Sequence, residues 1–236
     1  MTSTAKPLAI VTGVGPGTGA SIVRRFHAGG YQVAMLARNA ERLEALAREL
    51  PGAFALPCDV SDPAALQAAL EAAEVRAGAP KVVIHNAVGG AFANFLDVDP
   101  AVLERNFQVN VMALMHLGRW AAPRMEKAGG GALVVTGNTS AERGRANFAG
   151  FAPTKAAQRI LAESMARLMG PRGVHVAYLV IDAAIDLEWQ RKNNPDKPDD
   201  YFCHPDDISD EVWHLAHQSK SAWTFRAEIR PFAEAW

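Results

Sequence analysis

Nine residues near the start of the chain, 11–19, constrain its fold more than any other stretch. Four glycines fall within seven positions, between a short apolar run at 8–11 and a helix-like segment at 20–27. A glycine has no β-carbon, so the backbone can approach a ligand or a neighbouring strand closely. The following helix would direct its free N–H groups and the positive end of its dipole at the loop. The pattern predicts a strand–turn–helix unit that binds phosphate, and a tight turn without a ligand is the less favoured interpretation. The candidate binding residues are Gly13, Gly15, Gly17, Thr18 and Gly19.

Composition and charge narrow the class of protein. The chain has 236 residues, of which 49% are hydrophobic, and this suits one large α/β domain with a full core. Its net charge of −1 suggests neither nucleic acid nor a membrane surface as a partner. There is no run of ~18 apolar residues that would span a bilayer. Cys58 and Cys203 lie far apart, so we interpret both as thiols in a reducing cytoplasm and expect no metal site.

Short apolar runs alternate with helical patterns along the chain, which predicts repeated βα units. After the run at 8–11, the predicted strands are 31–37, 53–56, 81–85, 132–136, 174–181 and 223–229. The predicted helices after the first are 41–50, a helix capped by Ser61 or Asp62, 99–127 with Pro123 bending or ending its regular part, 150–169 and 206–217. Such units imply a mostly parallel seven-stranded sheet with helices on both faces. We expect a single domain over residues 1–236.

Polar or glycine-rich stretches follow the predicted strands. In an open parallel sheet, ligands bind beyond the carboxyl ends of the strands, so these stretches should meet at one edge. They are 13–19, Arg38, Asp59, 86–90, 138–140 and 182–186. Between 186 and 204 polar residues and two prolines replace the apolar pattern, which predicts a mobile lid that closes over the site.

Five motifs resemble those of the short-chain dehydrogenases/reductases, and the resemblance covers nearly the whole chain. Residues 12–19, Thr-Gly-x-x-x-Gly-x-Gly, are similar to the family's cofactor loop. Residues 86–89, which begin Asn86-Ala87, are similar to the motif that steadies the sheet beside the nicotinamide. The resemblance implies a doubly wound Rossmann fold and an oxidoreductase with a nicotinamide cofactor. The remaining matches are the pair Asp59-Val60, which holds the adenine in the family, and Asn110 and Lys155 of the catalytic group. In the family this lysine also holds the ribose, so Lys155 is an expected cofactor-binding residue as well, and a lysine that only holds the ribose is the alternative interpretation. Ile185 is a further expected cofactor-binding residue.

Two catalytic positions depart from the family pattern. The family's Tyr-x-x-x-Lys is here Phe151-Ala-Pro-Thr-Lys155, and Asn138 occupies the place of the catalytic serine. Ser140 is two positions off register, and Phe148 fills the tyrosine position of a related enoyl-reductase pattern. In the family the tyrosine gives its proton to a carbonyl oxygen, whereas a phenylalanine has no proton to give.

The resemblance therefore implies a catalytic group of Asn110, Asn138, Phe151 and Lys155 with an altered proton donor. Water ordered by Asn138 and Lys155 is the first candidate for that donor, and Ser140 is the second. Asp182 and Asp186 are further candidates by position alone.

Arg38 bears on the choice of cofactor. Family members that use NAD commonly have an acid near the end of the second strand, but the local sequence here is Leu36-Ala37-Arg38-Asn39. A guanidinium fits a 2′-phosphate bidentately. The sequence therefore predicts NADP(H), with a plain surface arginine as the alternative interpretation.

Several functions stay open. The first is an NADP(H)-dependent oxidoreductase acting on a small apolar substrate, with Phe148 and Phe151 in the pocket. The others are a non-redox isomerase or lyase on the same fold, and a catalytically inactive NADP(H)-binding regulatory protein. A homotetramer or homodimer is also expected, since the helices at 99–127 and 150–169 resemble the family's subunit-contact helices. The residues expected to supply apolar surface are Met112, Met115, Leu161, Met165 and Met169.

Overall fold

A seven-stranded parallel sheet forms the centre of the computed structural model, which describes residues 6–233. The strand order is β3-β2-β1-β4-β5-β6-β9, so the order reverses beside β1. A two-stranded sheet, β7-β8, lies apart from it. The strands are β1 (Leu8–Thr12), β2 (Gln32–Ala37), β3 (Ala53–Pro57), β4 (Pro80–His85), β5 (Gly131–Gly137), β6 (Val174–Ile181), β7 (Ala184–Ile185), β8 (Phe202–Cys203) and β9 (Arg226–Ile229).

Helices cover both faces of the sheet, because every crossover between parallel strands must return along one face. One face buries side chains of α1, α2 and α8, and the other buries side chains of α3, α5 and α6. The helices are α1 (Thr18–Ala28), α2 (Ala40–Glu49), α3 (Pro63–Ala77), α4 (Pro100–Phe107), α5 (Ala113–Lys127), α6 (Ala152–Met169), α7 (Glu188–Asn193) and α8 (Pro205–Ala216). The predicted α/β class, the seven strands and the two helical layers are confirmed.

Side-chain caps begin several of these helices. Asn39 accepts a hydrogen bond from Arg42 N, Asp62 accepts from Ala64 N and Ala65 N, and Asp99 accepts from Ala101 N. Of the two caps proposed for α3, Asp62 is therefore the one used. Each cap satisfies an N–H group that the helix itself leaves free.

Three segments differ from the sequence prediction. Residues 99–127 form two helices joined by a π-helical turn, Gln108–Met112. Pro123 lies inside α5 without ending it. The segment 186–204 contains α7 and β8, so it is folded, and its mobility stays a prediction. Residues 1–5 and 234–236, which the predicted domain includes, lie outside the described residues.

Within residues 6–233, the structure contains no helix that is both long and apolar enough to cross a bilayer. Cys58 and Cys203 are both buried, and neither forms a disulfide within residues 6–233.

Candidate active site

A cleft of about 1,980 Å³ opens at the carboxyl edge of the sheet, beside the point where the strand order reverses. It receives residues from the loops after β1 to β6 and from the 186–204 segment. Of the predicted residues of the cofactor site and the catalytic group, all except Asn110 line it: Gly13, Gly15, Gly17, Thr18, Gly19, Arg38, Asp59, Val60, Asn86, Ala87, Asn138, Phe151, Lys155 and Ile185. The expectation that these stretches meet is confirmed in the geometry.

The glycines of the first loop serve different purposes. Gly13 has φ +72°, and a β-carbon there would lie 2.5 Å from Ala87 Cα. A β-carbon on Gly19 would lie 2.5 Å from the Gly13 carbonyl oxygen, whereas one on Gly15 would meet nothing within 4 Å. Gly13 and Gly19 are therefore required by packing of the backbone, and Gly15 leaves space toward the cleft.

The start of α1 suits an anion. Its N-cap, Gly17, has no side chain to satisfy the first N–H groups of the helix. The Thr18 hydroxyl oxygen is buried without a hydrogen-bond partner among the described residues. Free N–H groups and a helix N-terminus are favourable surroundings for a phosphate.

Asn86 fastens this loop to the sheet. Its side-chain Nδ2 donates to Gly13 O at 2.9 Å, and its Oδ1 accepts from the Thr136 hydroxyl at 3.0 Å. The side chain thus joins β4 to its neighbours β1 and β5. His85, one residue earlier, is fully buried, and burial together with the nearby charge of Lys155 lowers its pKa to about 3. His85 is therefore a neutral core residue.

Arg38, Arg42 and Asp59 line the opposite end of the cleft from the α6 residues, around the ends of β2 and β3. The Asp59 carboxylate accepts from Ser61 N at 2.9 Å and from the Ser61 hydroxyl at 2.7 Å. These bonds, with the charge of Arg38, hold the pKa of Asp59 below its ordinary value. Arg42 was not among the predicted residues, although its place in the first turn of α2, four residues after Arg38, is a signal that the sequence carries.

Asn110 lies in the π-helical turn and is completely buried. Its side chain accepts from Gly89 N at 2.9 Å and donates to Gly89 O and to the Thr154 hydroxyl, both at 2.8 Å. Asn110 does not line the cleft, because these bonds occupy its amide, and its place in the catalytic group stays a prediction. It holds the loop after β4 against α6.

Aromatic rings form the wall around position 151. Phe151 is 4% exposed and its ring centre lies 5.6 Å from that of Phe92, which is 65% exposed and lines the cleft. Phe148 packs behind Phe92 at 5.1 Å and does not line the cleft. The pocket prediction is therefore correct for Phe151 and wrong for Phe148, whose place Phe92 takes.

Few polar groups face this wall. Asn138 Oδ1 accepts from Ser140 N at 3.1 Å, so the amide NH₂ of Asn138 is left to face a ligand. Ser140 is buried and does not line the cleft. Ser140 is therefore poorly placed to donate a proton there.

The two acidic candidates are occupied by cations. Asp182 accepts from the Thr139 hydroxyl and from Arg230, both at 2.9 Å. Asp186 is paired with Arg191 and His204, and the hydrogen bonds from Arg191 lower its pKa. The lowered pKa makes Asp186 a poor proton donor, and the contacts of Asp182 with Thr139 and Arg230 occupy its carboxylate. The interpretation of either residue as a replacement acid loses its support.

Lys155 is the buried cation of the site. It is 2% exposed, and its Nζ donates to Thr136 O at 3.1 Å and to Gln158 Oε1 at 2.5 Å. Desolvation lowers its pKa to about 7. Gln158 in turn donates to Asn110 O at 2.7 Å and accepts from the Tyr178 hydroxyl at 3.4 Å. A side chain on Gly137 would overlap the Tyr178 ring, so the glycine makes room for the tyrosine.

The 186–204 segment leans over the glycine loop. A β-carbon on Gly17 would collide with the Leu187 side chain, so Leu187 sits directly against this glycine. Beside it, the Ser21 hydroxyl donates to Asp206 at 2.6 Å, which joins α1 to the start of α8. The segment thus covers part of the predicted phosphate site.

Comparison with known proteins assigns the family. The short chain dehydrogenase family profile matches residues 7–197. The chain belongs to the short chain dehydrogenase family. It is 32% identical over 172 residues to the 7alpha-hydroxysteroid dehydrogenase of Escherichia coli K12, covering 71% of this chain and 67% of that one. It is 34% identical over 169 residues to the D-erythrulose reductase of Gallus gallus, again covering 71% and 67%.

Solved structures of this family superpose over almost the whole chain. A metagenomic short-chain oxidoreductase in complex with NADP is 28% identical, with a TM-score of 0.83 and coverage of 95% of this chain and 97% of that one. A short-chain dehydrogenase from Rhodopseudomonas palustris is 31% identical, with a TM-score of 0.82 and coverage of 97% and 99%. The predicted single-domain Rossmann-type fold is therefore confirmed.

Proposed function

We propose that this family member is an NADP(H)-dependent oxidoreductase that acts on a small apolar substrate and takes its proton from a group other than residue 151. The observation that carries the proposal is one cleft that joins a phosphate-binding loop, an arginine after β2, and an aromatic wall beside Lys155. When bound, the cofactor would supply or accept a hydride at the substrate carbon. The residues of the chain would hold both molecules and manage the proton.

The loop and the two arginines support the choice of cofactor. The unpartnered Thr18 hydroxyl and the uncapped start of α1 would receive the pyrophosphate. Arg38 and Arg42 would contact a 2′-phosphate, since no carboxylate stands at the end of β2 to accept from a ribose hydroxyl. A related structure with NADP bound agrees with this choice.

The end of the cleft beside Phe151 and Lys155, where the substrate would react, supports an altered proton donor. Phe92 and Phe151 offer apolar surface, and Asn138 offers an amide hydrogen bond to a developing oxyanion. Removing a positioned acid typically lowers a rate by ~10²–10⁴-fold. Substrates that need little acid assistance, such as an iminium, an activated alkene or a quinone-like ring, would suit this site best.

Two measurements test the proposal. Calorimetric titration with NADPH and NADH should show tighter binding of NADPH by the purified protein. A substrate panel that includes activated alkenes, iminium compounds, quinones and simple ketones, followed by NADPH absorbance, should show turnover in at least one of the first three classes. Tight NADPH binding without any turnover would point instead to the isomerase, lyase or regulatory alternatives.

We also propose that the protein is a homodimer or homotetramer through α5 and α6. The expected apolar surface needs correction, because Met169 is buried and Met165 packs against Gly118. Ile160 and Leu168 on α6 are 53% and 63% exposed, and they supply the apolar surface in their place. Light scattering at micromolar concentration should give a mass at least twice that of the chain.

A further inference from the structure

Gln158 connects three groups at the floor of the cleft. Its Nε2 donates to the Asn110 carbonyl oxygen, which can only accept, so the orientation of the amide is fixed. Its Oε1 must then face the other way, and it accepts from Lys155 Nζ and from the Tyr178 hydroxyl. All four residues are fully or almost fully buried.

The hydrogen bonds of Lys155 leave one donor unused. A lysine ammonium carries three N–H groups. One donates to Thr136 O, one donates to Gln158 Oε1, and no third partner exists among the described residues. Lys155 also lines the cleft one helical turn from Phe151. The remaining N–H is therefore a donor that the described residues leave unused on the helix that begins beside Phe151.

We propose that Lys155 itself is the catalytic acid of the reduction, and that Gln158 is the positioning residue that aims its amine. The inference rests on the proposed oxidoreductase function. As the substrate carbon gains its hydride, the π bond of the reacting double bond breaks and its electron pair moves to the far atom. In an activated alkene or a quinone-like ring, which becomes an anion on gaining the hydride, that atom takes a proton from Nζ; an iminium becomes neutral and needs none. Nζ is left as a neutral amine and regains a proton from water through the cleft.

The surroundings of the amine suit this role. Burial lowers the pKa of Lys155 to about 7, near the pH at which a general acid works best. The titratable groups that face it are His85 on β4, which is neutral, and Tyr178 on β6, whose pKa is raised by burial. Arg159 and Glu142 act on Tyr178 with opposite signs. A neutral amide at position 158 adds no charge that would hold the proton on the amine.

Two substitutions of Gln158 should move the pH profile in opposite directions. The kcat/KM for reduction should fall as the pH rises through the pKa of Lys155. Gln158→Glu places a carboxylate beside Nζ, which should move this falling limb of the pH profile to higher pH by about one pH unit or more. The ratio of kcat/KM at pH 9 to kcat/KM at pH 6 should therefore be roughly tenfold higher than in the wild type. Gln158→Met removes an acceptor of the charged amine and should shift the limb downward. The exposed Gln67→Glu, which adds the same charge on α3, is the matched control and should shift nothing.

The pH dependence of protein stability reports the pKa of the Lys155 amine without any catalytic turnover. In the unfolded chain the amine has its ordinary pKa of 10.5, so between pH 7 and 10.5 the unfolded state binds more protons than the folded state. The free energy of unfolding should therefore rise across that window, and Lys155→Met should abolish the rise. The Gln158→Glu variant should start its rise at a higher pH than the wild type.

The outcomes separate this inference from the proposed function. Opposite shifts of the limb, matched by the stability profiles, support Lys155 as the acid. Turnover whose limb is the same in wild type, Gln158→Glu and Gln158→Met overturns the role of Lys155 and leaves the oxidoreductase intact. A flat stability profile between pH 7 and 10.5 overturns it as well. Absence of turnover with every substrate overturns the function and this inference together.

Discussion

The two ends of the cleft are shaped in different ways, one by the backbone and the other by buried side chains. Beside β1 and β2, backbone geometry shapes the site, through the positive φ of Gly13, the close contact of Gly19 and the uncapped helix that follows. Beside β5 and α6, buried side chains shape it, through the network of Lys155 and Gln158. Gly13 and Gly19 leave no room for a larger residue, whereas a site shaped by side chains can be rebuilt when several residues change together.

The largest effect is expected for Gly13→Ala. The new β-carbon would be forced to φ +72° and into the backbone at Ala87, which should lower the free energy of unfolding by more than about 3 kcal/mol. Gly15→Ala is the matched control, since its β-carbon meets nothing within 4 Å and should cost less than about 1 kcal/mol. Urea unfolding of both variants checks this. Equal losses would show that the loop is not held by backbone packing.

Two substitutions made together beside Lys155 should change the reaction that the site catalyses. Asn138→Ser with Phe151→Tyr restores the family pattern and should raise simple ketone reduction by about 10²-fold or more. The hydroxyl of the new tyrosine costs about 1–3 kcal/mol of stability if it finds no partner. Steady-state kinetics with a ketone panel measures the gain.

The control for this pair is folding and NADPH affinity of the double variant. A variant that folds and binds NADPH normally, yet reduces no ketone, would show that positions 138 and 151 do not limit the chemistry. A natural chain that already reduces ordinary ketones at rates typical of enzymes would contradict the expected effect of residue 151.

Arg38→Ala should weaken NADPH binding by about tenfold, or about 1.4 kcal/mol, and leave NADH binding nearly unchanged. The reason is that only NADPH carries the 2′-phosphate which the guanidinium would hold. Arg48→Ala, an exposed change on the same helix as Arg42, is the control. Calorimetric titration gives both affinities, and equal affinity of the wild type for the two cofactors would refute the assignment.

The smallest effect concerns the 186–204 segment. Its amide hydrogens should exchange faster than those of β4 in the ligand-free protein, because much of the segment is exposed. Leu187→Ala should raise the exchange rate of the segment by about 3-fold, because it removes the contact with Gly17. Mass-spectrometric hydrogen exchange measures it, and exchange as slow as in β4 would rule out a mobile lid.

The sequence predicted the glycine-loop end of the cleft better than the end beside Lys155 and Gln158. Glycine spacing and the alternation of apolar runs carry local information, so the loop, the alternating strands and helices, and the location of the site at the carboxyl edge of the sheet could be predicted from the sequence. The π-helical turn could not, since it depends on how Asn110 meets Gly89 and Thr154 across the fold. The same holds for Pro123, which α5 accommodates without ending.

The residues that the sequence analysis missed act through tertiary contacts. Gln158 lies three positions after Lys155, but its partners Asn110 and Tyr178 come from two other elements. Phe92 was not among the predicted pocket residues, since most aromatic residues are buried, yet it lines the cleft. Phe148 and Phe92 differ only in which of two packed rings faces outward, and no local pattern distinguishes them.

The fit between Gly137 and Tyr178 has a consequence for how such a chain can change. A side chain at 137 would overlap the tyrosine ring, so the two positions cannot both be large. Any lineage that reached this pair by single steps had to shrink residue 137 before it acquired the tyrosine. In the reverse direction, residue 137 cannot regain a side chain until the tyrosine is lost. The pair therefore constrains the order of single substitutions at these two positions in both directions.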